Sequence, residues 1–279
     1  MEQFEKMCRT DILGVADEED GEFDHKLFQD QFTWNGKCYQ TALPWRLDHP
    51  ELKDNRAMVK SRLESTTDKL VKMRKLKEYD KLMQEQIETG IMVPVPAEGQ
   101  IKNFIPHHGV FKESKTTPLR IVYDLSSKPT KIAPSLNSCL FTGPPMQPKI
   151  MDILMKARMS TLFITADIAK AFHNIVLRPE EWPYQVLMWY SDLEKRQLQY
   201  YYFTKVIFGS KSSPYLLNCT IQKHLERYKN PKDAEVVKAL KTQVYVDDVC
   251  FNSNNEEDIG AFKSRATDIL QEGGFQLRK

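Results

Sequence analysis

One segment constrains this chain more than any other: Gln243-Val244-Tyr245-Val246-Asp247-Asp248-Val249-Cys250-Phe251. Apolar and polar residues alternate on both sides of two adjacent carboxylates, the pattern of two short strands joined by a tight turn. Helices bracket it. Upstream, Ser213 reads as an N-cap with Pro214 at the first helical position, and Leu217, Ile221, Leu225 and Tyr228 share one face of a helix over 214–228. Downstream, Ile259, Phe262, Ala266 and Ile269 recur at helical spacing over 256–272, Gly273-Gly274 supplies the stop, and a strand is expected to start at Phe275. Earlier, Thr161-Leu162-Phe163-Ile164-Thr165-Ala166-Asp167 is a buried-strand run that ends on a carboxylate. The order is then β (162–167), a long insertion, α, a ββ hairpin (243–252), α and β. That is the split βαβ (ferredoxin-like) order of an α+β fold, with helices on one face of an antiparallel sheet. It makes the first strand and the hairpin neighbours at the sheet centre.

The rest of the chain is less regular. From Glu51 to Thr89 there is no Gly or Pro, and Val59, Leu63, Leu70, Met73, Leu76, Met83 and Ile87 fit one long amphipathic helix or two in tandem, stopped at Gly90. Leu119-Arg120-Ile121-Val122-Tyr123-Asp124 reads as a strand after the turn-rich Lys115-Thr116-Thr117-Pro118. Residues 129–148 hold five prolines and make a long connection, with a boundary near 134–148, before a short helix at Ile150, Ile153, Leu154 and Ala157. A net charge of +2 does not announce a nucleic-acid partner. Its distribution is sharper: residues 11–30 carry eight carboxylates against Lys26, whereas residues 53–81 carry ten Lys or Arg against five acids. That basic stretch reads as a solvated helix face in preference to a specific nucleic-acid contact. No apolar run is long enough to cross a membrane, the start lacks a signal pattern, and five scattered cysteines without a C-x-x-C pair argue for reduced thiols. His107, His108, His173 and His224 lack metal spacing with any cysteine and read as surface or packing residues.

In the predicted sheet Asp167 and the Asp247-Asp248 pair converge. Three facing carboxylates repel one another unless cations neutralise them, and hard oxygen ligands select Mg²⁺ or Mn²⁺. Two such ions clamp the attacking and leaving oxygens of an in-line phosphoryl displacement, the chemistry of nucleotidyl transfer. An Asp-Asp turn alone is ordinary. Here Asp167-Ile168-Ala169-Lys170-Ala171-Phe172, Phe208-Gly209-Ser210-Lys211-Ser212-Ser213-Pro214 and Tyr245-Val246-Asp247-Asp248 follow in order on matching elements.

Those blocks, with Leu119–Asp124, Ser135–Pro145, Gly273–Lys279, Leu43-Pro44-Trp45 and His49-Pro50-Glu51-Leu52, resemble the reverse transcriptase of a Bel/Pao-type long-terminal-repeat retrotransposon over roughly residues 30–279. The resemblance implies a polymerase right-hand fold without its thumb. Residues 1–50 would be an acidic extension, 51–133 and 175–210 two parts of the fingers, and 134–174 and 211–279 two parts of the palm. It implies a DNA polymerase that adds dNTP to a primer on an RNA or DNA template, with two Mg²⁺ ions (or Mn²⁺) held by Asp167 and Asp247 and a third carboxylate, Asp248. Val246 and Ile168 or Ala169 would give backbone support near the triphosphate, and Arg120 would reach it, joined by Lys112 or Lys115, two lysines that read equally as a solvated hairpin tip. Arg120, a charge entering an apolar strand, needs a partner. Phe172 would lie under the nucleotide sugar and leave no room for a 2′-hydroxyl, unless it is a core aromatic. Gly209, Ser213, Pro214 and Tyr245 would meet template or primer. Phe208 stands where many of these enzymes have Gln. The resemblance further implies no membrane partner, flanking protease, RNase H and integrase domains in a polyprotein, and a cytoplasmic site in virus-like particles with access to the nucleus left open. A truncated or domesticated remnant that binds nucleic acid or protein without polymerising is the alternative.

Overall fold

The computed structural model describes residues 23–111 and 119–278. Lys112 and Lys115, and the acidic residues before Phe23, lie outside them. The chain begins with α1 (His25–Gln29), β1 (Thr33–Trp34) and β2 (Tyr39–Thr41). The Pro- and Gly-free stretch resolves into two helices in tandem, α2 (Arg56–Lys72) and α3 (Leu76–Glu88), broken at Arg74, which takes a left-handed φ of +56°. After β3 (Met92–Pro94) come β4 (His107–Phe111), β5 (Leu119–Tyr123), a single helical turn α4 (Leu136–Cys139) and α5 (Ile150–Arg158). Then follow β6 (Leu162–Ile168), β7 (Ile175–Leu177), β8 (Val186–Asp192) and β9 (Gln197–Phe203). The last part runs α6 (Ser213–Leu225), α7 (Ala234–Gln243), β10 (Val244–Tyr245), β11 (Asp248–Ser253), α8 (Glu256–Glu272) and β12 (Leu277–Arg278).

The four-stranded sheet has the order β10-β11-β6-β12 with every neighbouring pair antiparallel, the split βαβ arrangement expected from the sequence. One face is covered: Phe251 of β11 stacks on Phe262 of α8 at 3.8 Å, and Ala266, Ile269 and Leu270 of α8 are buried. On β6 the alternate residues Phe163 and Thr165 are exposed, so the face that carries Asp167 opens to solvent. Three smaller sheets complete the fold: β3-β9-β8, the β4–β5 ladder, and β1-β2-β7, in which β2 and β7 run parallel. A cluster of buried apolar side chains, from Phe32 to Phe275, joins the four sheets.

Buried histidines act as cross-links. His107 donates from Nε2 to the Met188 carbonyl at 3.0 Å and accepts from the Tyr79 hydroxyl at 2.6 Å, and burial holds it near pKa 4. His224 donates from Nε2 to the Ile269 carbonyl at 2.6 Å and accepts from the Tyr39 hydroxyl at 3.0 Å, which ties β2, α6 and α8 together. These are packing roles, as the sequence suggests. The N-cap of α6 is a correction. Ser212 occupies the cap, and Ser213 is the first helical residue, its hydroxyl donating to the Ile207 carbonyl at 2.6 Å. Cys38, Cys139, Cys219 and Cys250 are free thiols. Among the described residues no helix is long and apolar enough to cross a membrane.

Candidate active site

Asp167 and Asp248 are direct partners across the β6–β11 ladder. Opposed residues of an antiparallel pair project to one face with Cβ atoms about 4.5–5.5 Å apart, where like charges repel. The third carboxylate arrives on a tight loop. Tyr245 pairs with Asp248, which leaves Val246 and Asp247 as a two-residue turn. Such turns need a left-handed first residue, normally Gly. Val246 takes that place at φ +57°, the one β-branched residue with positive φ among the described residues. The conformation costs about 1–3 kcal/mol and persists only where the surroundings enforce it. The Asp247 carbonyl, which accepts from the Ile168 N–H at 2.8 Å, closes the turn over the end of β6. The half-buried Asp247 carboxyl is pushed above its ordinary pKa, first by loss of water and then by the charges of Asp248 and Asp167.

On its other side Asp167 faces Arg278 of β12. Sequence reading passed over Arg278 because only the pairing of β12 brings it here. The donor set of three mutually repelling carboxylates suits a hard divalent cation. Among the described residues, no three acidic, histidine or cysteine side chains yet close around one point as a metal would require. The donor chemistry of the site fits Mg²⁺.

The backbone after β6 is largely committed. The Ile168 N–H goes to Asp247 and the Ala169 N–H to the Gln276 carbonyl at 2.8 Å, while the Ala169 carbonyl accepts from Asn174 Nδ2 at 3.0 Å. Lys170, at φ +49°, then starts a 3₁₀ turn over Ala171–Asn174. None of the described residues accepts from the amide N–H groups of Lys170 or Ala171, the orphan donors that a helical N-terminus leaves. The Lys170 ammonium pairs with Glu85 of α3 at 2.8 Å and thereby lowers the Glu85 pKa.

Phe172 in this turn is buried at 5% exposure. Phe208 covers it, ring centroids 4.5 Å apart at 71°, and is itself 47% exposed. Gly209 has φ +97°, and a Cβ there would stand 2.5 Å from the Tyr123 carbonyl oxygen, so the position admits only glycine. The close approach that Gly209 permits is thus to the chain's own β5. Ser213 is buried, Pro214 and Tyr245 are half-buried. Arg120 departs from expectation: it lies on the outward face of β5, and its side chain has no hydrogen bond or ion pair among the described residues. A two-stranded ladder leaves alternate residues in water, so the charge needs no protein partner.

The chain belongs to the reverse transcriptase (RNA-dependent DNA polymerase) family, whose model matches residues 75–279. Every described candidate residue falls inside that match, and α1, β1, β2 and α2 precede it. No curated protein matches the chain. Membership makes it an RNA-directed DNA polymerase by class, with nucleic-acid template, primer and dNTP as substrates.

Proposed function

We propose that this chain adds dNTP to a primer 3′ end by two-metal nucleotidyl transfer and is the fingers and palm of a Bel/Pao-type retrotransposon enzyme. The palm would be residues 134–174 and 211–279, the fingers 51–133 and 175–210. The observation that carries the mechanism is the cross-strand pairing of Asp167 with Asp248, with Asp247 on the adjoining turn. Asp167 and Asp247 would hold Mg²⁺, with Asp248 beside them. When bound, Mg²⁺ supplies positive charge that stabilises the transferring phosphoryl group.

The chain's own groups do the rest. The amides of Lys170 and Ala171, from which none of the described residues accepts, would serve the triphosphate as donors, and Arg120 would reach it from the solvent-facing ladder. Val246, Ile168 and Ala169 act as backbone scaffold: the Ile168 N–H fastens the hairpin turn to β6, and the Ala169 N–H fastens the end of β6 to Gln276, just before β12. Gly209, Ser213 and Pro214 fix the entry to α6, beside which the template would pass.

Primer extension on an RNA template with dNTPs tests the reading. Wild-type chain should extend the primer only with Mg²⁺ or Mn²⁺ present. Asp167→Asn and Asp247→Asn should each lower the rate on the order of 10³-fold or more without loss of thermal stability. Ordinary turnover by Asp247→Asn would remove that carboxylate from the mechanism.

A further inference from the structure

Arg62, Ser65, Thr66, Lys69 and Leu70 recur along one face of α2, and with Met73 just past its end they form one wall of a cavity of about 360 Å³. The other wall is β4, from His107 to Phe111. Among the described residues no acidic side chain lines it. Its α2 wall precedes residues 75–279, the stretch that matches the polymerase family. Lys60 and Lys72 of the same helix are solvated, as the sequence suggests, whereas Arg62 and Lys69 border the cavity.

The lining joins cations to an apolar floor. Arg62 is oriented through Nη1, which donates to Asp124 Oδ2 at 2.8 Å and to Ser127 Oγ at 2.9 Å, and its other nitrogens meet no acceptor among the described residues. Lys69 and His108 are exposed and pair with no described carboxylate. Asp68, next to Lys69 in the chain, is taken by Arg196 at 3.1 Å. The hydroxyls of Ser65 and Thr66 make no hydrogen bond to a described residue. Burial is the chief cause of the low pKa of His107 in this lining, and positive charge on His108 and Arg62 pushes it the same way. Leu70, Met73 and Phe111 supply the apolar surface, and Met73 keeps 51% of its own exposed.

We propose that this cavity takes one nucleotide of a single-stranded nucleic acid. Its phosphate would sit between Lys69 and Arg62, with the Ser65 and Thr66 hydroxyls as further donors, and its base against Phe111, Leu70 and Met73. Cations beside an aromatic platform are the combination that holds an unpaired strand, since the phosphate meets charge and every base has a face to stack. The volume suits a single nucleotide unit. A base held in a duplex could not turn onto Phe111. The site is independent of the three carboxylates and needs neither a metal nor the transfer reaction.

Fluorescence anisotropy tests it, using the full chain and a labelled oligo-adenylate RNA of about ten nucleotides, in EDTA so that no polymerisation contributes. Lys69→Ala should weaken binding about five- to tenfold and reduce the slope of log affinity against log salt by about 0.7, the share of one phosphate on a single strand. Phe111→Ala should weaken it about fivefold or more through lost stacking. Lys69→Arg keeps the charge, and Lys72→Ala removes one from the same helix outside the cavity, so both should stay within about twofold of wild type. Lys69 is exposed, so its variants test the site even if Phe111→Ala fails to fold. Equal affinity and salt slope in Lys69→Ala and Lys72→Ala would overturn the proposal. So would displacement of the RNA by adenosine monophosphate at matched nucleotide concentration, the mark of a mononucleotide site, or an equal loss in Phe111→Ala for an RNA duplex of the same length. A chain that binds as expected yet extends no primer with any divalent cation would sink the two-metal reading and leave this one standing.

Discussion

The β6–β11 ladder and the β4–β5 ladder both carry charges assigned to nucleotide chemistry, and they hold them in different ways. β6 is flanked on both sides, by β11 along its length and by β12 at its end, and the hairpin turn is fastened to it through Ile168. That scaffold keeps Asp167 and Asp248 opposed, and Asp247 next to them, against their repulsion. The β4–β5 ladder has two strands among the described residues. Its base is anchored by His107 between Tyr79 and Met188, and Arg120 lies exposed on its outward face. Like charges have to be forced together by rigid neighbours, whereas a single cation that must only reach a ligand can ride on a lighter support.

Gly209→Ala attacks the end of β5, where the loop before α6 packs on it. Its Cβ would collide with the Tyr123 carbonyl at the base of β5 in a backbone region that disfavours side chains. A loss of about 3 kcal/mol is expected in urea unfolding. A loss under about 1 kcal/mol would show that the loop moves independently of the hairpin.

Acid should separate the regions by sign. His107 has a folded pKa of about 4 against 6.5 unfolded, so its neutral form is favoured in the fold. Its stabilisation is complete above pH 6.5 and is lost as the pH falls towards 4, by up to about 3 kcal/mol. His173, also held near 4 by burial, adds to the loss. Asp247 works the other way: its raised pKa means that protonation relieves the fold as pH falls towards the ordinary aspartate value. Unfolding free energies measured between pH 7 and 4.5 should therefore decline, and more gently in His107→Gln. An identical slope in that variant would move the cause elsewhere.

Arg120→Ala is the mildest test. The KM for dNTP should rise about tenfold with kcat little changed, while stability stays within about 0.5 kcal/mol because the side chain is solvated. A stability loss above 1 kcal/mol would mean that β5 depends on this charge after all.

Much of the sheet was legible because its signals are local. The α8 helix matches its expected span, 256–272, since apolar spacing and Gly273 bound it, and the Asp-Asp hairpin follows from alternation alone. Convergence of Asp167 with Asp248 needed only the split βαβ order. What stayed hidden depends on contacts between distant segments. Phe208 covers Phe172, and Arg278 faces Asp167, through tertiary packing that no spacing encodes. The left-handed Val246 runs against its own propensity and is imposed by the turn around it. α7 had a readable start at Asn230-Pro231, where Asn230 caps the preceding 3₁₀ turn, and the apolar run Val186–Tyr190 of β8 was a readable strand inside the insertion.

The wiring of the central sheet also sets a schedule. β6 comes off the ribosome well before either strand that pairs with it, because β11 and β12 lie far downstream. Closing such long loops is slow compared with local helix formation. Until Asp248 is made and threaded beside Asp167, the carboxylates are strangers in solution and no repulsion has to be overcome. The nascent chain can therefore settle β8, β9 and the helices around them first, and assemble its most frustrated corner last, when the rest of the protein is already there to brace it.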